Sequence, residues 1–296
     1  MQIVRPKSYS FSDVVTSIVE DEAPFWDVAA TYSLGDEVIR DHRVFVSAID
    51  GNLAIDPLLE DQSLIGVRWV QKSYTNAFQF MDGALSNRSL GVGSIVVTIS
   101  NLSGVDTLVV FGLTGQFIDV VARSLSGATV FTLSQNISGR EVSNWFDWFF
   151  KPFGDYSDKL VATGMPSNVA EIEITLTGGS VAMGEVVVGD VIDIGKSLFG
   201  AQGEAISYSK LNYNAYGVAM TVKGPVRNEM RYPVMASRER FQVIKPLMDR
   251  LQGELVAAIG AVDRPSTIHL GLLGTVRWTE SLPDHYEYSF VLRGVI

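Results

Sequence analysis

Beyond Thr75 the chain becomes a series of short apolar runs separated by polar turn clusters. The runs are SIVVTIS, TLVVFGL, FIDVVARS, ATVFTLS and EIEITLTG, followed by the longer VAMGEVVVGDVIDIG. Val, Ile, Thr and Phe dominate them, and Gly or Asn-Leu-Ser-Gly clusters separate them, which predicts short strands joined by turns. This spacing predicts a jelly-roll-like β-sandwich over residues 74–194. Before it, residues 25–73 form a compact block bracketed by Trp26 and Trp69, with EVIRD and RVFVSAID as a hairpin. Residues 1–24 read as an N-terminal arm: Ile3-Val4 suits an edge strand, and SFSDVVTSIVEDE has marginal helical spacing with Ser12 or Asp13 as cap.

The pattern changes after residue 195. KSLFGAQGEAISYSKLNYN is linker-like in composition, and AYGVAMTVKGPVRNEMRYPVMAS predicts one or two strands interrupted at Gly224-Pro225. In SRERFQVIKPLMDRLQG, Phe241, Ile244, Leu247, Met248 and Leu251 recur at three and four, the mark of one apolar helix face. Ser237 suits the N-cap and Gly253 the C-terminal stop. Pro246 inside the pattern predicts a kink or a split. ELVAAIGA, TIHLGLLGTVRW and HYEYSFVLRGVI return to strands. The expected fold is therefore mainly β with an α+β C-terminal domain over residues 195–296. No repeat of roughly 20–50 residues marks a solenoid or propeller.

Composition narrows the chemistry. The 296 residues are 47% apolar and 19% charged, with a net charge of -10, which suits packed cores and opposes a phosphate backbone as partner. No direct nucleic-acid binding is expected. With no cysteine, disulfides, thiolate metal ligands and thiol nucleophiles are excluded. The start of the chain lacks the uninterrupted apolar run of a signal peptide, and the longest apolar runs are strand-sized, so neither secretory export nor a membrane anchor is expected.

Catalytic motifs are missing. His42, His269 and His285 stand in no metal-ligand spacing. The Ser-Gly pairs at Ser103, Ser126 and Ser138 do not make a nucleophile elbow, and no phosphate-cradling glycine loop precedes a helix. Asp147, Asp155 and Asp158 lie near the aromatic run NWFDWFFKPFGDYSD, where two carboxylates and a sugar platform would suit a glycosidase. Two carboxylates among 33 acidic residues carry little specificity, and the chain is expected to be non-enzymatic, with no cofactor and no metal. The same aromatic run suits packing or subunit contact, with ligand contact as the alternative.

The order Trp26, Tyr32, Gly35-Asp36, Val38, Val44-Phe45, Ser47, Gly51-Asn52, Pro57 and Trp69 resembles the small chitin-binding-type carbohydrate-binding modules. The resemblance covers about 45 residues. It implies a small β module, and Trp26, Tyr32, Phe45 and Trp69 as candidate glycan-binding residues, although a block this small also needs its aromatics for a core. The intervening IDGNLAIDPLLEDQSLIG is aliphatic and acidic, with no added pair of surface aromatics. Asn76, Phe78, Met81 and Asp82, then Phe199-Gly200, Tyr208-Ser209 and Leu211, extend the resemblance to tailed-bacteriophage virion proteins of the tail, baseplate or neck (collar).

That wider resemblance implies a structural subunit of the virion, assembled in the host cytoplasm as a symmetric ring or appendage joint. Its partners would be copies of itself, as a homo-oligomer, and other virion structural proteins. The alternative it leaves open is host attachment through a surface glycan or receptor. Candidate interface residues are Trp145, Trp148, Phe149, Phe153, Arg231 and Arg238. The two arginines belong to a basic cluster, with Arg227 and Arg240, around the predicted helix start.

Overall fold

A computed structural model describes residues 1–62, 64, 66–138, 145–150, 157–213, 216–261 and 264–295, without the side chains of residues 147, 148, 281 and 282. The chain is mainly β. Its first segment supplies β1 (Gln2–Pro6) and β2 (Val14–Thr16). The opening block holds β3 (Thr31–Tyr32), β4 (Glu37–Arg40), β5 (Arg43–Ser47), β6 (Asn52–Leu53) and β7 (Trp69–Tyr74). The central region contributes β8 (Ser89–Ile99), β9 (Thr107–Phe111), β10 (Phe117–Ser124) and β11 (Thr129–Asn136). Helix α1 (Trp145–Phe150), β12 (Lys159–Thr163), β13 (Val169–Met183) and β14 (Val186–Asp193) complete it. Then come β15 (Lys196–Ser197), β16 (Gln202–Ser207), β17 (Lys210–Tyr213), β18 (Ala219–Val222) and β19 (Val226–Ser237). Helix α2 (Arg238–Leu251) and strands β20 (Leu255–Ile259), β21 (Ile268–Leu282) and β22 (His285–Gly294) end the fold. No helix among the described residues is long and apolar enough to cross a membrane.

Two sheets carry the body. A five-stranded sheet runs β11-β10-β13-β8-β2, and a ten-stranded sheet runs β12-β9-β14-β1-β20-β21-β22-β19, with β15 and β16 both paired to β19. Successive side chains of a strand point to opposite faces, which sorts them between cores. Val97, Val120 and Ile174 of the smaller sheet meet Leu108, Val110, Leu160 and Val188 of the larger one, which makes the expected sandwich. On the other face of the large sheet, Val4, Val109, Phe111, Val187, Ala257 and Leu270 form a separate core. The sheet curls around that core. Lys159, on edge strand β12, donates through Nζ to the carbonyls of Pro265 and Ile268 at 3.1 and 2.8 Å, joining β12 to the start of β21.

The first residues correct the arm reading. Strand β1 pairs antiparallel with β14 on one side and β20 on the other, so it is central rather than an edge. Ile3 and Val4 are both buried because a central strand has cores on both faces, Ile3 facing the α2 side and Val4 the curl. The strands on either side of the expected boundary at 195 thus share one sheet. The marginal helix is absent too: Phe11–Asp13 is a single 3-10 turn at which Ser10 and Asp13 form a capping box.

Helix α2 follows its pattern. Ser237 caps it by accepting the Arg240 amide, and Phe241, Ile244, Met248 and Leu251 are buried against Tyr232, Val234, Tyr288 and Phe290 of the sheet. Leu247 is half-buried against the same core. Gly253 has φ +80°, the left-handed conformation that a glycine after a helix end adopts without strain. Pro246 does not split the helix, which runs through it as one element with the proline on its exposed side.

Candidate functional site

Residues 199–213 and 216–226, expected to be linker and broken strand, build an exposed ribbon. Its base is the ladder between β16 and the first half of β19, and β17 and β18 form the hairpin beyond it. The two parts are joined where Tyr208 N donates to Pro225 O at 3.0 Å and Gly224 N to Ser209 Oγ at 3.1 Å. At that junction a Cβ on residue 224 would lie 2.4 Å from the Tyr208 carbonyl oxygen, so the close approach requires glycine.

The hairpin is apolar on both faces. Cross-strand partners share a face, so Val222 and Met220 lie with Lys210 and Asn212, whereas Leu211 and Tyr213 lie with Thr221 and Ala219. Leu211, Tyr213, Met220 and Val222 are each 56–66% exposed, and Phe199 at the ribbon's root is 94% exposed. A two-stranded ribbon is at best marginally stable alone in water, and exposed contiguous apolar surface marks an interaction site. Phe199, Gly200, Tyr208, Ser209 and Leu211, five of the residues behind the virion resemblance, all fall on it. The remaining ones work locally: Asn76 exchanges two hydrogen bonds with the Leu90 backbone, Phe78 is buried, Met81 packs on the sandwich core, and Asp82 holds Ala84 N and Asn87.

Helix α1 presents a second aromatic surface. Trp145, Phe146, Phe149 and Phe150 are 69–80% exposed, and they contact one another at one-turn spacing, as in Trp145 with Phe149 and Phe146 with Phe150. These four rings do not plug the sandwich. Phe153 and the Trp148 side chain lie outside the described residues, as do Asp155 and the Asp147 side chain.

The basic cluster expected around the helix start is divided by the pleat of β19. Arg227 and Arg231 project from the sheet face opposite α2, whereas Arg238 opens the helix and Arg240 pairs with Asp193 at 2.8 Å. Arg227 reaches Glu229 at 3.5 Å and lies over the Tyr208 ring.

Three of the four candidate glycan residues are core, which corrects that assignment. Tyr32, Phe45 and Trp69 are buried with Val38 and offer no open ring face. Trp69 Nε1 donates to Ile55 O at 2.9 Å, and the Tyr32 hydroxyl accepts from Asp27 N at 2.7 Å, so their polar tips are satisfied inside the block. Trp26 is half-buried, and the Arg40 guanidinium, fixed by Asp56 at 2.7 Å, lies over its ring. The acidic loop serves the same core, since the Glu60 carboxylate accepts from the amides of Arg68 and Trp69.

Two polar clusters join the parts. His42 Nδ1 and Thr75 Oγ1 converge on the Glu20 carboxylate, with Phe11 and Phe78 against the imidazole. The threonine hydroxyl donates to the carboxylate and also lies 3.3 Å from the His42 carbonyl oxygen, an arrangement that holds the opening block to the sandwich. Glu185 is buried beside Tyr9 and Met81 in a cavity of about 170 Å³, accepting from Gly83 N at 2.9 Å. Burial pushes its carboxyl up to about 8, against the pull of the Gly83 amide and with a smaller push from Asp82. No group of three His, Asp or Glu side chains suited to a metal forms among the described residues. Comparison with known proteins gives no matching family model, curated protein or solved structure.

Proposed function

We propose that the chain is a non-enzymatic structural subunit of a tailed-bacteriophage virion. It would belong to the tail, baseplate or neck, and would assemble with copies of itself and with other virion proteins. The observation that carries this reading is the ribbon at residues 199–213 and 216–226. A ribbon meant to lie on its own domain needs only one apolar face, whereas this one is apolar on both. Such an element is stabilised by insertion between neighbouring surfaces, so the chain completes its packing in an assembly. The sequence resemblance supplies the class of assembly, and the exposed rings of α1 supply a second contact surface.

Sedimentation velocity on the full chain tests the assembly. Wild type is expected to form discrete oligomers, whereas a variant with Leu211, Tyr213, Met220 and Val222 all changed to serine stays monomeric while keeping a wild-type circular dichroism spectrum. A wild-type chain that remains monomeric up to its solubility limit overturns the reading.

A further inference from the structure

The sheet face opposite α2 contains an open concavity of about 480 Å³ next to the base of the ribbon. Arg231 from β19, Arg277 from β21 and Arg293 from β22 line it, together with Thr275, Glu204 and Glu229. The pairing register brings them together: Arg231 stands opposite Val291, Arg277 opposite Ser289 and Arg293 opposite Glu229. None of the three arginines forms an ion pair among the described residues. The Arg231 Nε is buried without a hydrogen-bond partner. Glu229 is engaged by Arg227, which leaves Glu204 as the remaining carboxylate facing three guanidinium groups. A buried donor left unmet is costly, and guanidinium groups favour planar, bidentate partners such as carboxylates.

Charge is distributed unevenly along the chain. Residues 195–296 carry twelve Lys and Arg against nine Asp and Glu, although the whole chain is at -10. Residues 20–73 carry eleven Asp and Glu against four Lys and Arg. Copies of so acidic a protein repel one another unless opposite surfaces are brought together. Asp21 and Asp41 are exposed at one end of the acidic part, next to the Glu20–His42 contact.

We propose that the Arg231–Arg277–Arg293 concavity seats the acidic stretch of residues 20–73 of a second copy. This inference rests on the assembly reading and names one joint within it. Two different surfaces meet in such a contact, so it is head-to-tail, and repetition of it closes a ring or extends a stack. Rim charges set salt dependence and register, so the joint is strongest at low salt and weakens as salt screens it.

The test uses the full chain with Arg231, Arg277 and Arg293 all changed to Glu, and a second variant with Asp21 and Asp41 both changed to Lys. Circular dichroism melts check that both fold. At low salt, each variant alone should associate at least about tenfold more weakly than wild type, the scale of losing a few charged contacts. A mixture of the two should recover association, because each reversed surface then finds its complement. Wild-type association should fall with added salt. If wild type and the arginine variant associate equally, or the mixture recovers nothing, this joint is overturned while assembly through the ribbon stands. A monomeric wild type overturns both. Binding of inorganic phosphate or single-stranded DNA that is lost in the arginine variant, with association unchanged, assigns the concavity to another anion and overturns the proposal.

Discussion

At the scale of single residues, the aromatic and acidic side chains do structural work that their types alone left open. Trp69 is fully buried and its indole N–H is satisfied, so Trp69→Ala should remove about 3–5 kcal/mol from the opening block. Limited proteolysis should then cut first within residues 25–73, and persistence of the intact block would contradict the core assignment. The sequence showed these aromatics as both core and candidate platform. Burial decides for core, because a block of this size has few other large side chains to enclose. Glu185 makes a sharper prediction. The unfolded chain releases this proton near the ordinary 4.5, the folded chain only near about 8, so the folded state binds the extra proton between them. Its contribution to stability is complete below the lower value. It is lost as pH rises towards the upper one, at up to about 1.4 kcal/mol per pH unit. Glu185→Gln keeps an oxygen for Gly83 N and removes the charge. Urea midpoints at about pH 5 and about pH 9 should therefore lie closer together in the variant than in wild type. An unchanged pH dependence would assign the effect to other groups.

At the scale of elements, local pattern was readable wherever an element buries one face on its own chain. The short apolar runs became β8, β9, β10, β11, β13 and β14, and the three-four spacing became α2 with the expected cap and apolar face. Residues 196–213 were not readable in the same way. Their Gly, Ser, Asn and Tyr content suggests a linker, and their scattered apolar residues join no core among the described residues. Only the pairing of β17 with β18 shows those residues as two faces of one ribbon. The arginine concavity was hidden for a related reason: Arg277 and Arg293 lie far from Arg231 in sequence, and only sheet register unites them. Pro246 tests the helix. It cannot donate to the Gln242 carbonyl, and proline inside a helix costs about 3 kcal/mol relative to alanine. Pro246 is exposed, so Pro246→Ala should stabilise the chain by roughly 1–3 kcal/mol in chemical denaturation. A loss of stability would mean that α2 is bent to fit the sheet and needs its proline.

At the scale of the whole molecule, β1 is the keystone. Five residues near the start of the chain lie between β14 and β20, which joins the central region to the C-terminal one through main-chain hydrogen bonds on both edges. Nothing in QIVRP announces this. Two adjacent apolar residues fit an edge or a centre equally well, and the choice depends on partners more than 180 residues away. The consequence is cooperativity. With β1 in place, the sandwich core and the α2 core lie on one face of one sheet, and unfolding should be a single transition. Deleting residues 1–6 exposes the facing edges of β14 and β20 and removes Ile3 from the α2 core and Val4 from the curl, each worth about 1.5–3 kcal/mol if fully buried. Calorimetry on the deleted chain should show two resolved transitions, or loss of the α2 core with the sandwich retained. A single transition at the wild-type temperature would mean that the two regions are coupled by something other than this strand.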